Sequence, residues 1–169
     1  MYYTSFDQKI LLIHPKSTGY LKLNETDPVW SEPLIDFKFF SDGVDFDELL
    51  EGNRLGLKII DTKAIRESNF ELDRTPLPGC EQHEFNSDNY WRCSAMHYTV
   101  SMFHPTGTCK MGPKNDSEAV VDARLRVYGV KGLRVADASI MPLIVGANPQ
   151  ATVMMIAEKA SDMIKEDWS

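Results

Sequence analysis

The segment from Asn148 onward constrains the fold most, because it predicts an amphipathic helix that must pack against an apolar partner. Asn148 is the predicted N-cap, and Pro149 is the predicted first helical residue. Apolar side chains then recur at helical spacing, with charged side chains on the opposite side. The apolar positions are Val153, Ile156, Ala157, Ala160, Met163 and Ile164. The rest of the chain must supply a core for this face.

The first hundred residues predict a mixture of strands and helices. Short apolar runs between Ile10 and Leu23 flank a Pro-Lys-Ser-Thr-Gly break, which predicts two strands joined by a turn. The segment from Pro33 to Phe40 predicts a further strand. Helical spacing of apolar residues begins at the N-cap candidate Asp45, and Ser87-Asp88 is a second predicted helix start. This region is therefore of mixed class.

The region after residue 103 has a different pattern, with a glycine-rich loop followed by short apolar runs. Residues 125–128 and 133–136 are strand candidates, and the second leads directly into Asp137-Ala138. A strand that ends in an acidic residue suggests a ligand at its carboxyl end. An Asp at this position also commonly bonds its own turn, so the structural interpretation stays open beside the functional one.

Composition and charge exclude several classes of function. Hydrophobic residues make up 43% and charged residues 25% of the 169 residues, as in globular proteins. The formal net charge of -7 argues against nucleic acid as a partner. The apolar run at residues 153–157 is much shorter than the roughly 20 residues of a membrane-spanning helix, so no membrane span is expected.

His104 and Asn148 are the strongest candidates for chemistry. A positioned imidazole can remove the proton of a substrate hydroxyl, which typically contributes about 100- to 10,000-fold to a rate. A helix N-terminus at Asn148 offers unpaired N–H groups and partial positive charge, which would suit a cofactor that gains negative charge. A hydrogen-bonded structural role for His104 and a simple capping role for Asn148 remain alternatives.

An ordered series of motifs resembles the C-terminal region of the glucose-methanol-choline (GMC) oxidoreductase family. The series consists of His104-Pro105-Thr106-Gly107-Thr108-Cys109-Lys110-Met111-Gly112, Val120-Val121-Asp122, Arg124-Leu125-Arg126-Val127-Tyr128-Gly129, Gly132-Leu133-Arg134-Val135-Ala136-Asp137-Ala138-Ser139-Ile140-Met141-Pro142, Asn148-Pro149-Gln150-Ala151 and Ile156-Ala157-Glu158-Lys159. Upstream segments resemble the insect glucose dehydrogenase-like branch of the family. These are His14-Pro15-Lys16-Ser17-Thr18-Gly19-Tyr20-Leu21-Lys22-Leu23, Pro33-Leu34-Ile35-Asp36 and Tyr90-Trp91-Arg92-Cys93.

The resemblance implies a flavoenzyme that uses FAD and oxidises a CH-OH group of a sugar or other alcohol. It implies that His104 is the base and Asn148 the second catalytic residue, with hydride passing to flavin N5. It places Asp137 and Ala138 at the ribityl and phosphate region of FAD, and Asn148, Pro149 and Gln150 beside the isoalloxazine. Quinone or oxygen would be the electron acceptor.

The resemblance also implies an incomplete α/β fold. Residues 1–102 would be part of an α+β substrate-binding region, and residues 103–169 would be the C-terminal part of a Rossmann-like FAD-binding domain. The ten glycines include no G-x-G, so the fingerprint that holds the ADP half of FAD is not in this sequence. We therefore expect the full-length parent to be the enzyme, and this chain alone to be an inactive, truncated piece of it.

Three cysteines leave the compartment open. Cys80, His83, Cys93 and His97 have the residue types and local spacing of a small zinc-stabilised binding domain. The family resemblance instead implies a Cys80–Cys93 disulfide or free thiols, and no metal. Two short glycosylation sequons, residues 24–26 and 115–117, are a pattern that often occurs by chance, and they slightly favour a secreted parent.

Overall fold

The computed structural model describes residues 5–169, which form helices and two short strands. The elements are β1 (Tyr20–Lys22), β2 (Leu34–Asp36), α1 (Gly43–Ile60), α2 (Lys63–Glu67), α3 (Asp88–Tyr98), a 3-10 turn (Ala138–Ile140) and α4 (Gln150–Trp168). The mixed helix and strand class predicted from the sequence is confirmed. The first four residues of the predicted 1–102 region lie outside the described residues.

The chain divides into two compact units. The first unit combines the residues up to Thr18 with Phe37–Val100, and the second combines Gly19–Asp36 with Ser101–Ser169. The first unit holds α1, α2 and α3, and the second holds the β1–β2 sheet, the 3-10 turn and α4.

The N-terminus of α1 corrects one prediction. The cap is Asp42, whose Oδ1 accepts a hydrogen bond of 3.0 Å from the Val44 N–H. The predicted cap, Asp45, is instead buried, and its carboxylate accepts the backbone N–H groups of Lys16 at 2.6 Å and Ser17 at 2.8 Å. The prediction was wrong because the partner of Asp45 comes from a segment nearly thirty residues upstream.

The predicted pair of strands between Ile10 and Leu23 is confirmed only in its second strand, which contains β1. Residues 5–18 form no strand, and part of this segment lies along α1. A Cβ atom added at Gly52 would lie 2.7 Å from Ile10 Cγ2, and one at Gly56 would lie 2.5 Å from Gln8 Nε2. Gly52 and Gly56, which carry no side chain, therefore allow this close approach.

The helix α3 begins as the sequence predicts, because the Ser87 side chain accepts a hydrogen bond from the Tyr90 N–H. Its apolar side contributes Ala95 to a small core with Phe46 and Leu50 of α1. A disulfide joins Cys93 of this helix to the preceding loop.

That disulfide links Cys80 to Cys93, with their Cα atoms 5.8 Å apart. The pairing implied by the family resemblance is confirmed. The zinc alternative at Cys80, His83, Cys93 and His97 is wrong, because neither sulfur remains available as the thiolate that zinc requires. Within residues 5–169, no group of three or more potential metal ligands is found.

In the second unit, β1 and β2 pair antiparallel, with Leu21 opposite Ile35. The strand β2 confirms the centre of the predicted strand from Pro33 to Phe40, although it is only three residues long. The partner of β1 thus follows it in the chain, whereas the sequence pattern had suggested one before it. The loop between the strands spans residues 23–33.

The main core of the second unit forms around α4, as the helix periodicity predicts. The buried members are Val121, Leu125, Ile140, Met141, Ile156 and Ala160. Val153 and Met163 of α4 are partly buried against this core, but Ala157 and Ile164 are exposed. The predicted face is therefore confirmed in its centre and is narrower than expected.

The strand predictions for residues 125–128 and 133–136 are wrong in detail. The structure shows only isolated bridges there, between Val121 and Val127 and between Arg126 and Arg134. Leu125 has a φ of 64°, which no strand residue adopts, so the first segment turns where a strand would continue. Apolar side chains of both segments nevertheless pack in the core of the second unit.

The end of α4 is tied to the same region by ion pairs. Arg124 lies 2.7 Å from Asp167 and 3.1 Å from Glu166, and Arg134 also pairs with Asp167. Burial raises the pKa of Asp167, but hydrogen bonds from Arg134 and Arg124 outweigh it and lower that pKa overall. None of the helices formed by residues 5–169 has the length and apolar character needed to cross a bilayer.

Candidate active site

The loop of residues 104–112 is held against the 3-10 turn by backbone hydrogen bonds. The Cys109 N–H donates to the Ser139 carbonyl at 2.9 Å, and the Met111 N–H donates to the Ile140 carbonyl at 2.8 Å. Gly107 has a φ of 86°, a conformation that side chains other than glycine strain to adopt. The loop that carries His104 therefore has a defined backbone path.

Lys110 fixes the far end of this loop. Its Nζ lies 2.8 Å from Asp116 Oδ2 and 3.2 Å from Glu118 Oε2, and the hydrogen bond to Asp116 is the main reason that the pKa of Lys110 is raised. The Lys110 carbonyl also accepts the Val120 N–H at 2.8 Å. Sequence reasoning missed this role, although the acidic pair at 116 and 118 shortly after a lysine was a visible signal.

His104 is half-buried, and its side chain makes no hydrogen bond to any described residue. Phe103, just before it, is 89% exposed and has a φ of 61°. A structural histidine would ordinarily be hydrogen-bonded when partly buried. Both ring nitrogens of His104 are thus open to a ligand, which is the arrangement a base for an external hydroxyl needs.

The structure changes the account of Asn148. The helix begins at Gln150, and the cap is Pro149, whose carbonyl accepts the Val153 N–H at 2.9 Å. The prediction that Asn148 caps this helix is therefore wrong, because its side chain accepts no described N–H group of the first turn, although Pro149 has the helical backbone angles of -75° and -6° predicted for it. The exposed Asn148 carboxamide makes no hydrogen bond within the described part of the chain.

Asp137 bonds its own turn, which was one of the two interpretations of this residue left open by the sequence. Its Oδ1 accepts the Ser139 N–H at 2.7 Å and so begins the 3-10 turn, of which Ala138 is the first residue. Asp137 is nevertheless exposed. Its second oxygen is left without a hydrogen bond in residues 5–169 and is available to an external donor.

The predicted site residues all lie in the second unit, but the structure links them to different degrees. The loop of His104 and the turn that follows Asp137 are joined directly by the two backbone hydrogen bonds above. Gln150 begins α4, which shares its core with Ile140 and Met141. No hydrogen bond connects His104 with Asn148 among the described residues, so their meeting at one substrate stays a prediction.

Two surface clefts lie elsewhere on this unit and do not include His104 or Asn148. One, of about 520 Å³, is lined by residues 111–113, 122–124, Arg126 and Tyr128. The other, of about 490 Å³, is lined by Arg126, by residues 127–134 and by the end of α4. The guanidinium of Arg126 is already paired with Asp122 at 2.7 Å, so it is not free for an anionic ligand.

Comparison with known proteins identifies the class. The family model described as GMC oxidoreductase matches residues 15–157, so the chain belongs to the GMC oxidoreductase family. The chain is 41% identical over 157 residues to the glucose dehydrogenase [FAD, quinone] of Drosophila pseudoobscura pseudoobscura, with 93% of the chain and 25% of that protein covered. It is 36% identical to the ecdysone oxidase of Bombyx mori, with 94% of the chain and 22% of the relative covered.

Solved structures agree with this membership. A fungal aryl-alcohol oxidase superposes with a TM-score of 0.76 at 34% identity, covering 93% of the chain and 25% of that structure. A formate oxidase of Aspergillus oryzae, described with respect to its FAD modification, superposes with a TM-score of 0.76 at 32% identity, covering 92% and 26%. The chain thus spans about a quarter of the length of the relatives it matches.

Proposed function

We propose that the full-length protein is an FAD-dependent oxidoreductase that oxidises a CH-OH group of a sugar or other small alcohol. In this proposal, residues 1–102 belong to the substrate-binding region, and residues 103–169 complete the FAD-binding domain. The observation that carries the proposal is the state of His104. Its imidazole is half-buried on an anchored loop, yet it has no hydrogen-bond partner among residues 5–169.

The proposed role of His104 is that of general base. A neutral imidazole nitrogen accepts the proton of the substrate hydroxyl as the alcohol becomes a carbonyl. The hydrogen bonds of Cys109 and Met111 to the 3-10 turn support this role, because they restrict the backbone of the loop that presents the ring. Positioning of this kind reduces the entropy that the reaction would otherwise lose.

The proposed role of Asn148 is to orient the substrate hydroxyl. Its carboxamide can donate a hydrogen bond to the hydroxyl oxygen, which leaves the hydroxyl proton directed toward His104. The absence of a hydrogen-bond partner for Asn148 in the described part of the chain supports this role. Because Asn148 does not cap α4, its carboxamide remains available to hydrogen-bond a substrate.

The residues fit the part of FAD that this region would hold. Asp137 retains an unbonded carboxylate oxygen for a hydroxyl donor, and Ala138 presents little side-chain bulk. The unpaired N–H groups at the start of α4, next to Pro149 and Gln150, favour negative charge on a bound ring. When bound, FAD would accept hydride from the substrate carbon, and quinone or oxygen would accept the electrons afterwards.

The names of relatives support this reading without selecting one substrate. They include a glucose dehydrogenase, a 5-(hydroxymethyl)furfural oxidase and an oxygen-dependent choline dehydrogenase. What these substrates share is a hydroxyl-bearing carbon. The Cys80–Cys93 disulfide supports a secreted parent, because such bonds persist mainly in oxidising compartments.

The test is His104→Ala in the full-length FAD-loaded enzyme. We expect the rate of flavin reduction by substrate to fall by about two orders of magnitude or more, with FAD still bound. Stopped-flow absorbance of the flavin under anaerobic conditions measures this rate.

The matched control is His97→Ala, because His97 is an exposed histidine of α3 and is not one of the proposed site residues. It should leave flavin reduction close to that of the unaltered enzyme. Near-normal reduction in the His104 variant, or an equal loss in both variants, would reject the role of His104 as base.

A further inference from the structure

The loop between β1 and β2 carries a feature that the proposed oxidation does not use, the triplet Asn24-Glu25-Thr26. We infer that Asn24 is a site of N-linked glycosylation. The triplet matches the acceptor pattern Asn-x-Ser/Thr, and its middle residue is not proline. So short a pattern also occurs by chance, and the geometry of this loop and the cysteines of the chain provide further support for a glycan at Asn24.

The local geometry presents the amide nitrogen of Asn24. Its Oδ1 accepts the Thr26 N–H at 2.9 Å, and its Nδ2 makes no hydrogen bond to the described residues. Glu25 and Thr26 are exposed, and Asn24 is partly so. This turn involves three consecutive residues only, so the nascent chain can form it before the tertiary structure exists.

The rest of the loop offers a surface that a glycan would cover. Asp27 Oδ1 accepts the Trp30 N–H at 3.0 Å, and this second turn leaves Trp30 88% exposed and Val29 74% exposed. An exposed indole is unfavourable in water, whereas the C–H faces of sugar rings pack well against aromatic rings. A glycan at Asn24 would reduce this exposed apolar surface.

The disulfide provides an independent indication of the required compartment. Cys80 is fully buried and bonded to Cys93, and such structural disulfides form in the secretory pathway, where N-glycosylation takes place. The donor would be an oligosaccharide linked to a lipid pyrophosphate. A bond forms between Asn24 Nδ2 and C1 of the first sugar, the bond from C1 to the pyrophosphate oxygen breaks, and the amide proton is released; nothing is oxidised or reduced.

The second triplet, Asn115-Asp116-Ser117, is a natural comparison within the chain. Asn115 is exposed, but its side chain forms no turn with residue 117. Its neighbour Asp116 is bound to Lys110 and so helps to anchor the loop of His104. We therefore assign the glycan to Asn24 and expect Asn115 to stay unmodified.

The test expresses the whole chain behind a cleavable secretion leader in insect cells. Peptide mapping by mass spectrometry, before and after treatment with a peptide N-glycosidase in ¹⁸O-labelled water, identifies each modified asparagine. We expect Asn24 to be converted to ¹⁸O-labelled aspartate and Asn115 to stay unlabelled. Immunoblotting of both the cell lysate and the medium ensures that poorly secreted variants are still read.

Three variants make the assignment specific. Asn24→Gln and Thr26→Val should remove the mobility shift of one glycan, and Thr26→Ser should retain it because it keeps the hydroxyl. The oligosaccharide is transferred to the nascent chain, so a variant that folds poorly still shows whether the triplet is glycosylated. An unmodified Asn24 in both lysate and medium, or a shift that survives Asn24→Gln, would overturn the inference.

Discussion

Individual polar residues of this protein differ most clearly in whether their hydrogen bonds are satisfied internally. Asp45 is 1% exposed, and its two oxygens are occupied by backbone N–H groups. His104 and Asn148 have no such partners among the described residues. Because buried polar groups are normally paired, the first pattern indicates a structural role, whereas the second leaves both side chains available for the substrate contacts proposed for them.

The first prediction concerns Asp45→Asn. The substitution keeps the size of the side chain, but it removes the charge and leaves one N–H of the Lys16–Ser17 pair facing an amide NH₂ group. We expect a loss of about 1–3 kcal/mol in the free energy of opening of the first turn of α1. Amide hydrogen exchange of residues 16–17 and 43–47 measures it. Asp47→Asn, at an exposed position of the same helix, is the control and should change little.

The stability of the wild-type protein and that of Asp45→Asn should depend differently on pH. Burial raises the pKa of Asp45, but hydrogen bonds from Ser17 and Lys16 outweigh it, so the pKa lies below the ordinary 3.8. A lowered folded-state pKa contributes stability above the unfolded value, about 4, and that contribution is lost as the pH falls through the folded value. The difference in thermal midpoint between wild type and Asp45→Asn should therefore shrink below about pH 4. A constant difference down to pH 2 would contradict this account.

At the scale of elements, helix starts depend on contacts between neighbours in the chain, whereas glycine positions depend on distant packing. Ser87 caps α3 as expected, through a bond to the Tyr90 N–H three residues on. Glycine is unfavourable inside a helix, but Gly52 lies beneath Ile10, where a side chain would not fit. Glycine is therefore required at position 52 of α1, whereas at position 43 it is dispensable.

The second prediction compares Gly52→Ala with Gly43→Ala. At Gly43 a new Cβ meets nothing within 4 Å, so alanine should stabilise α1 by up to about 1 kcal/mol. At Gly52 it would lie 2.7 Å from Ile10 Cγ2, and the stiff β-branched side chain must move. We expect the packing of α1 against residues 8–12 to be weakened by about 1–3 kcal/mol. Hydrogen exchange of the hydrogen-bonded α1 amides around residue 52 measures this, and equal protection of these amides in both variants would refute the packing argument.

At the scale of the whole molecule, much apolar surface is exposed. Phe103, Leu143 and Trp168 are each more than 80% exposed, and the apolar cores of the two units are small. Burial of such side chains against another protein surface is favourable. The relatives, of which this chain spans about a quarter, contain further protein that could cover it.

The third prediction follows at this scale. The 169 residues alone should not retain FAD, because the sequence contains no G-x-G fingerprint for the pyrophosphate and the proposed contacts reach only part of the cofactor. Purified chain is mixed with FAD and passed through gel filtration, and flavin absorbance is measured in the protein peak. The full-length protein, treated in the same way, is the positive control. Stoichiometric FAD in the peak of the short chain would overturn this view.

The sequence by itself determined the features that depend on near neighbours. These include the Ser87 cap, the buried centre of the α4 face and the motif series from His104 onward, which resembles the GMC oxidoreductase family. Local hydrogen bonds and a regular spacing of apolar residues need no knowledge of distant partners. For this reason α3 and α4 were predicted to within about two residues of their starts.

Only the tertiary structure decided which distant groups meet. It paired Asp45 with Lys16 and Ser17, placed Ile10 over Gly52 and turned the chain at Leu125 where a strand had been expected. It also left His104 and Asn148 without hydrogen-bond partners among residues 5–169. Such pairings depend on how the chain returns on itself, and each one must offset the entropy of closing a long loop, which no local pattern records.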